Sequence, residues 1–361
     1  MDLNDVILYL RAKSGGVLGG TDTLESFAAH VNGKLDQLTM SVLDKDLMLQ
    51  FLDELIAIAT HALGPRRQRA LAALRQWVDD EPLCVFLMVD QVEFAFQLVI
   101  RMLKPDTMDQ STSDFCGQAG LLYNFAVANP DDFVAFGMGL LERGRGRLGN
   151  AVVRPSQQIR DGMVPFGMKC VDYVLLSSIR NSLEDITGDQ WLTTALQSTD
   201  PRLLCGWLQK VGYQDVCNEI SHKGEMRHFE HIDAIETSIT IQRFAVDGVT
   251  RKPQTRTAFE AEDMFRHRKQ LDLLKKAQMK LMIGHKVILA IDPSLLRALR
   301  GRVVRPSLTE DQYLHYAVVT RLQITPLGIG ATIHSYGKIT DGMISSTIFL
   351  QRFYGFISAR P

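Results

Sequence analysis

The sequence predicts an α+β fold, with helices first and an antiparallel sheet second. Two observations carry this. Apolar residues recur at three- and four-residue spacing from the N-terminal region to about Gly212, whereas alternating and β-branched runs appear only after that. With 361 residues the chain suits one large domain or two ordinary ones, and 46% apolar against 22% charged residues is an ordinary globular balance. Disordered, collagen-like and disulfide-scaffold classes are excluded on that balance.

In chain order, a Gly-rich break at 14–20 precedes a helix over 21–38. A second helix, 47–63, must end at Gly64-Pro65, because proline lacks the amide donor and clashes with the preceding turn. A third, 66–80, stops before Pro82, and Val85 to Leu103 reads as one long buried helix ending at Lys104-Pro105. The polar loop from Lys104 to Asp114 then feeds FCGQAGLLYNFAVANP, an apolar helical run closing at Asn129-Pro130. Helices follow at 131–144, 171–185, 189–196 and 200–212. Strands are expected at 235–244, 286–292, 315–324, 331–337 and 353–359, with a long amphipathic helix from Ala258 to a Gly284 cap between the first two. The first 104 residues form a helical N-terminal region, and 105–361 form the second domain.

Charge nearly cancels, 40 Lys+Arg against 41 Asp+Glu, so no global field holds a nucleic-acid backbone or an anionic membrane. The start MDLNDVILYLRAKSGG carries acids where an export signal needs positive charge, and no window approaches the roughly 18 apolar residues of a membrane span. Synthesis in the cytoplasm without a signal peptide is expected, with neither a nucleic-acid partner nor membrane insertion. The five cysteines, Cys84, Cys116, Cys170, Cys205 and Cys217, form no C-x-x-C pair and no disulfide framework.

Cys116 has the setting a nucleophilic thiol needs. At a helix N-terminus, unsatisfied backbone N–H groups and the helix dipole favour thiolate over thiol. Gly117 leaves room for a substrate carbonyl, and the Cys116 N–H points where an oxyanion develops. Gln110, in the loop before it, supplies an uncharged donor for the same oxyanion. A base must come from elsewhere, and His315 opens a strand in the C-terminal sheet.

At these residues the chain resembles papain-like cysteine peptidases. The pattern Gln110-x5-Cys116-Gly117-x-Ala119, followed far downstream by His315-Tyr-Ala-Val-Val, looks like the branch with bacteriocin-processing peptidase domains. The run FCGQAGLLYNFAVANPDDFVAFGMGLLERGRGRLG, with VVRPSQQIR, DYVLLSSIRNS, IHSYGK and FLQRFYGFISA, is similar to papain-like domains of bacterial polymorphic toxins and secreted effectors. The resemblance spans about 106–361. It implies a papain-like fold, a helical lobe with the Cys helix packed on the sheet, and Cys116 as nucleophile, His315 as general base then acid, and Gln110 as oxyanion donor. Where papain-like enzymes place an Asn or Asp to orient the imidazole, this chain offers His334 or Ser335. Neither is an acid, so the imidazolium loses a carboxylate's stabilisation and slower acyl transfer is expected.

The same letters have simpler readings. Cysteine is among the most buried residues, and Cys84, Cys170, Cys205 and Cys217 read as packing. His222, His228 and His231 with Glu225, Glu230 and Asp233 invite a metal, but HExxH is absent and a solvated polar stretch explains them. ERGRGRLG, 142–149, is no phosphate loop and reads as a solvated turn or ion-pairing surface, and KQLDLLKKAQMK, 269–280, as the solvated face of a helix. The expectation is a cofactor-free, metal-free thiol hydrolase acting on a protein or peptide amide, deployed as a toxin or effector through a specialised secretion system such as type VI in bacterial competition. A cognate immunity protein and a secretion adaptor or chaperone would accompany it. Deamidase, transglutaminase and non-catalytic papain-like interaction protein are the alternatives.

Overall fold

In the computed structural model the described residues are 45–111, 113, 115–183, 199–220, 256–302 and 315–361. They form a mixed α+β structure with an antiparallel sheet and several helices, as expected. The helix expected at 21–38, the helix at 189–196, the strand at 235–244 and the His222, His228 and His231 cluster lie outside the described residues.

The chain divides into two compact units. The first takes the described residues before 197, with Lys210–Gly212 and Tyr336–Lys338. Its helices are α1 (Lys45–Ala62), α2 (Gly64–Asp80), α3 (Gln91–Leu103), α4 (Cys116–Ala128), α5 (Pro130–Arg143), the short α6 (Gln157–Asp161) and α7 (Cys170–Leu183). Helical periodicity explains what they bury: Met48, Phe51, Leu52 and Leu55 on α1, and Ala70, Leu71, Leu74, Trp77 and Val78 on α2. Stops fall where the local chemistry puts them. Gly64-Pro65 separates α1 from α2, Asn129-Pro130 separates α4 from α5, and Gly144 closes α5 at φ +61°.

Two expectations are corrected in this unit. The helix expected from Val85 begins only at Gln91, because the Asp90 carboxylate accepts the Glu93 amide at 2.8 Å and caps it there. ERGRGRLG, expected as a solvated turn or an ion-pairing surface, pairs Arg143 with Glu142 but also contributes strand β1 (Gly146–Leu148), which pairs antiparallel with β2 (Ala151–Val153). Residue 104 lies inside this unit, and contacts cross it: Arg69 pairs with Asp131 at 2.6 Å, Trp77 donates to Glu142 at 3.3 Å, and Gln97 accepts the Val171 amide at 3.1 Å. Helices on both sides of that residue thus share one core.

Helix α8 (Pro201–Val211) leads into β3 (Gln214–Asn218), a strand the sequence did not signal. The second unit then contains α9 (Arg256–Met282), β4 (Lys286–Ile291), α10 (Ser294–Leu299), β5 (His315–Thr325), β6 (Gly328–Ser335), most of β7 (Lys338–Ile344), α11 (Ser346–Gln351) and β8 (Phe353–Arg360). The sheet runs β3-β8-β4-β5-β6-β7. Ile291 pairs with His315 across β4–β5, and Val318 with His334 across β5–β6. Alternation puts Val287, Leu289, Ile291, Ala317, Val319, Ala331 and Ile333 on one face, in a single core with Leu273, Leu274 and Ala277 of α9 and with Phe349, Phe353 and Phe356. Two side-chain amides pin α9 to the sheet backbone: Gln270 donates to the Phe353 carbonyl at 2.8 Å and Gln278 to that of Leu322 at 3.0 Å.

Candidate functional site

Cys116 opens α4, as the sequence predicts, and no side chain caps that helix end. The thiol is buried, at 5% exposure, and Gly117 beside it is buried too. None of the five cysteines is in a disulfide. Burial pushes the Cys84 and Cys205 thiols up to about 11, and raises Cys170 and Cys217 as well, so these four are held protonated. Cys170 donates to Gln97 at 3.2 Å inside the helical core. Cys170 has the packing role the sequence reading gives all four, whereas Cys84, Cys205 and Cys217 are only part-buried.

Gln110 lies in the same unit, on the loop that delivers the chain to Cys116. It is 4% exposed, and its Oε1 is buried without a hydrogen-bond partner among the described residues. Its backbone is fixed by a turn in which the Ser113 amide donates to its carbonyl at 3.0 Å. Just upstream, the Asp109 carboxylate accepts the Ser111 amide at 2.8 Å, with Ser111 held at φ +53°.

Behind this loop stands an ion pair that sequence reasoning missed. Arg101 of α3 and Asp172 of α7 meet in a two-pronged contact, Nε to Oδ1 at 3.0 Å and Nη2 to Oδ2 at 2.6 Å, and both are buried. The pair also grips the loop. Arg101 Nη1 donates to the Thr107 hydroxyl at 2.9 Å, and Asp172 accepts the Asp109 amide at 3.3 Å. The available signal was a charge set among the apolar residues of each helix, Arg101 in α3 and Asp172 in α7.

On the second unit, His315 begins β5 as predicted, and its Nε2 lies 2.5 Å from the Ser335 hydroxyl. The pairing register explains why Ser335, of the two alternatives, takes this position. With Val318 opposite His334, Ser335 shares the face of Ala317 and His315, while His334 points to the other face and meets Thr320 Oγ1 at 3.1 Å. His315 is buried at 3% exposure on the face occupied by the α9 core. Burial drives its pKa down to about 3, so at neutral pH the imidazole is uncharged. It can accept a proton, but as a weak base.

Among the described residues no group of three His, Cys, Asp or Glu side chains is arranged to hold a metal ion, and no helix is long and apolar enough to cross a membrane. The structure therefore provides two half-constellations, a helix-opening thiol preceded by a braced loop with Gln110, and an imidazole held by Ser335. Set against known proteins, the chain matches no family model, no curated protein and no solved structure.

Proposed function

We propose that this chain is a papain-like thiol hydrolase of amide bonds that acts as a toxin or effector. The observation that carries the reading is the thiol side: Cys116 opens a helix whose end no side chain caps, and the preceding loop holds Gln110 buried. In the reaction, His315 takes the Cys116 proton and the sulfur attacks the carbonyl carbon. Backbone N–H and the Gln110 amide hold the oxyanion, and His315 then protonates the leaving nitrogen as the C–N bond breaks. Water hydrolyses the thioester. Ser335 orients the imidazole where related sites use an amide or an acid. With an amine as acceptor the same steps give transamidation, and on a side-chain amide they give deamidation. Delivery through a specialised secretion system, a cleft-plugging immunity protein and a secretion adaptor belong to this reading.

A second reading, a non-catalytic interaction protein on the same frame, is favoured by one observation: His315 is buried on the core face with its basicity suppressed. Mass spectrometry of bacterial proteins and peptides after exposure to the wild-type chain and to Cys116→Ala separates the two. Cleaved, deamidated or cross-linked products that appear only with the wild type support catalysis. Identical spectra from both chains contradict it.

A further inference from the structure

We propose that the first unit carries an anion site, specific for a compact polyphosphate, between helix α5 and the β1–β2 hairpin. A cavity of about 720 Å³ lies there, the size of a small-ligand pocket, lined by Arg143, Arg145, Arg147 and Arg154 with Asn150 and a single carboxylate, Asp132. The arginines reach it by strand alternation. Gly146, Leu148, Ala151 and Val153 are buried, Arg147 and its cross-strand partner Val152 are exposed, and Arg145 and Arg154 extend the same face by one step each.

The frame is fixed by backbone contacts. Gly149, at φ +56° in the two-residue turn, has room for no side chain, since a Cβ would sit 2.1 Å from the Val211 carbonyl oxygen. A Cβ on Gly146 would meet the Phe136 ring and carbonyl at 2.6 Å, so the hairpin is pressed onto α5. Little neutralises the charge that this frame gathers. Arg143 contacts Glu142 at 3.0 Å, and Arg147 Nε donates to the Gly149 carbonyl at 2.9 Å. Arg145 and Arg154 engage no side-chain hydrogen bond or ion pair among the described residues.

Several arginines lining one concave space match an anion with many oxygens close together. Strands of three residues provide no extended track for a nucleic-acid backbone, and the chain's net charge of −1 provides no wider field for one. The recognised chemistry is clustered phosphates, whether inorganic or on a nucleoside.

Calorimetric titration of the full chain with tripolyphosphate, at fixed ionic strength, tests the site. Saturable binding, tighter than to sulfate and weakened about tenfold or more in Arg145→Gln/Arg154→Gln, is expected. A nucleoside triphosphate that binds equally assigns recognition to the phosphates alone, and one that binds more tightly identifies the nucleoside form as the ligand. Tripolyphosphate that binds no better than sulfate, an unchanged affinity in the variant, or tighter binding of a single-stranded oligonucleotide overturns the proposal. Should the double variant fail to fold, tripolyphosphate must protect Arg145 and Arg154 of the wild type from phenylglyoxal, and equal modification with and without it overturns the proposal.

Discussion

Burial decides what the imidazole of His315 can do. Its folded pKa of about 3 lies below the ordinary value of 6.5, so between these pH values the unfolded chain binds a proton that the native one refuses. Stability from this residue is therefore intact above about pH 6.5 and is lost as pH falls toward 3. In equilibrium denaturation, the wild type should lose stability relative to His315→Gln by roughly 1.4 kcal/mol per pH unit in that window. Equal slopes would show that the imidazole is solvated. The contact with Ser335 makes a second prediction: Ser335→Ala should cost about 1–3 kcal/mol by removing the hydrogen-bond partner of the buried Nε2, whereas His334→Ala costs less than about 1 kcal/mol. Urea midpoints of the two variants check this ordering. The sequence left His334 and Ser335 open because both fit the motif, and only the register of Val318 with His334 assigns each to a face. Cys116, by contrast, was legible as a helix-opening cysteine from the polar loop before it and the glycine after it, although the depth of its burial was not.

Among elements, the loop before α4 depends on helices that flank it. Arg101 and Asp172 tie Thr107 and Asp109 to α3 and α7, so the conformation that presents Gln110 is set by a buried ion pair. Asp172→Asn should destabilise the fold by about 3–5 kcal/mol, because it leaves the Arg101 guanidinium buried without its counter-charge. The joint replacement Arg101→Met/Asp172→Leu should recover most of that stability while leaving the loop untethered. Hydrogen exchange at residues 107–111 reads the difference: faster exchange in the stable double variant supports the brace, and unchanged exchange contradicts it. This pair was invisible to periodicity, which tracks apolar positions and treats a lone charge in a helix as its solvent side. Strands β1, β2, β3 and β7 escaped for another reason, being either short or little buried. A three-residue strand such as Gly146–Leu148 is too short to display alternation, and its Arg-Gly composition is that of a turn. The helices whose ends carry Gly64-Pro65, Asn129-Pro130 and Gly144 were legible because each break has a local covalent cause.

At the scale of the whole molecule, helices first and an antiparallel sheet second is the order the sequence predicts, since hydrophobic period alone separates the two parts. The compact units, however, do not follow the predicted division at residue 104, because contacts from Trp77 to Glu142, Gln97 to Val171 and Arg101 to Asp172 cross it inside the first unit. Growth of bacteria producing the chain in the cytosol should slow with the wild type and not with Cys116→Ala, and equal growth of the two strains would contradict a toxic hydrolase. The most direct measurement of the central claim is the alkylation rate of Cys116 against pH in the wild type and in His315→Ala, followed by peptide mass spectrometry. The account predicts that Cys116 reacts at near-neutral pH ahead of the other four thiols, with a midpoint below the roughly 8.5 of a free thiol, and that removing the imidazole, its proton acceptor, slows that reaction. A Cys116 that stays inert until all five thiols react, or whose profile is the same in both proteins, would contradict it.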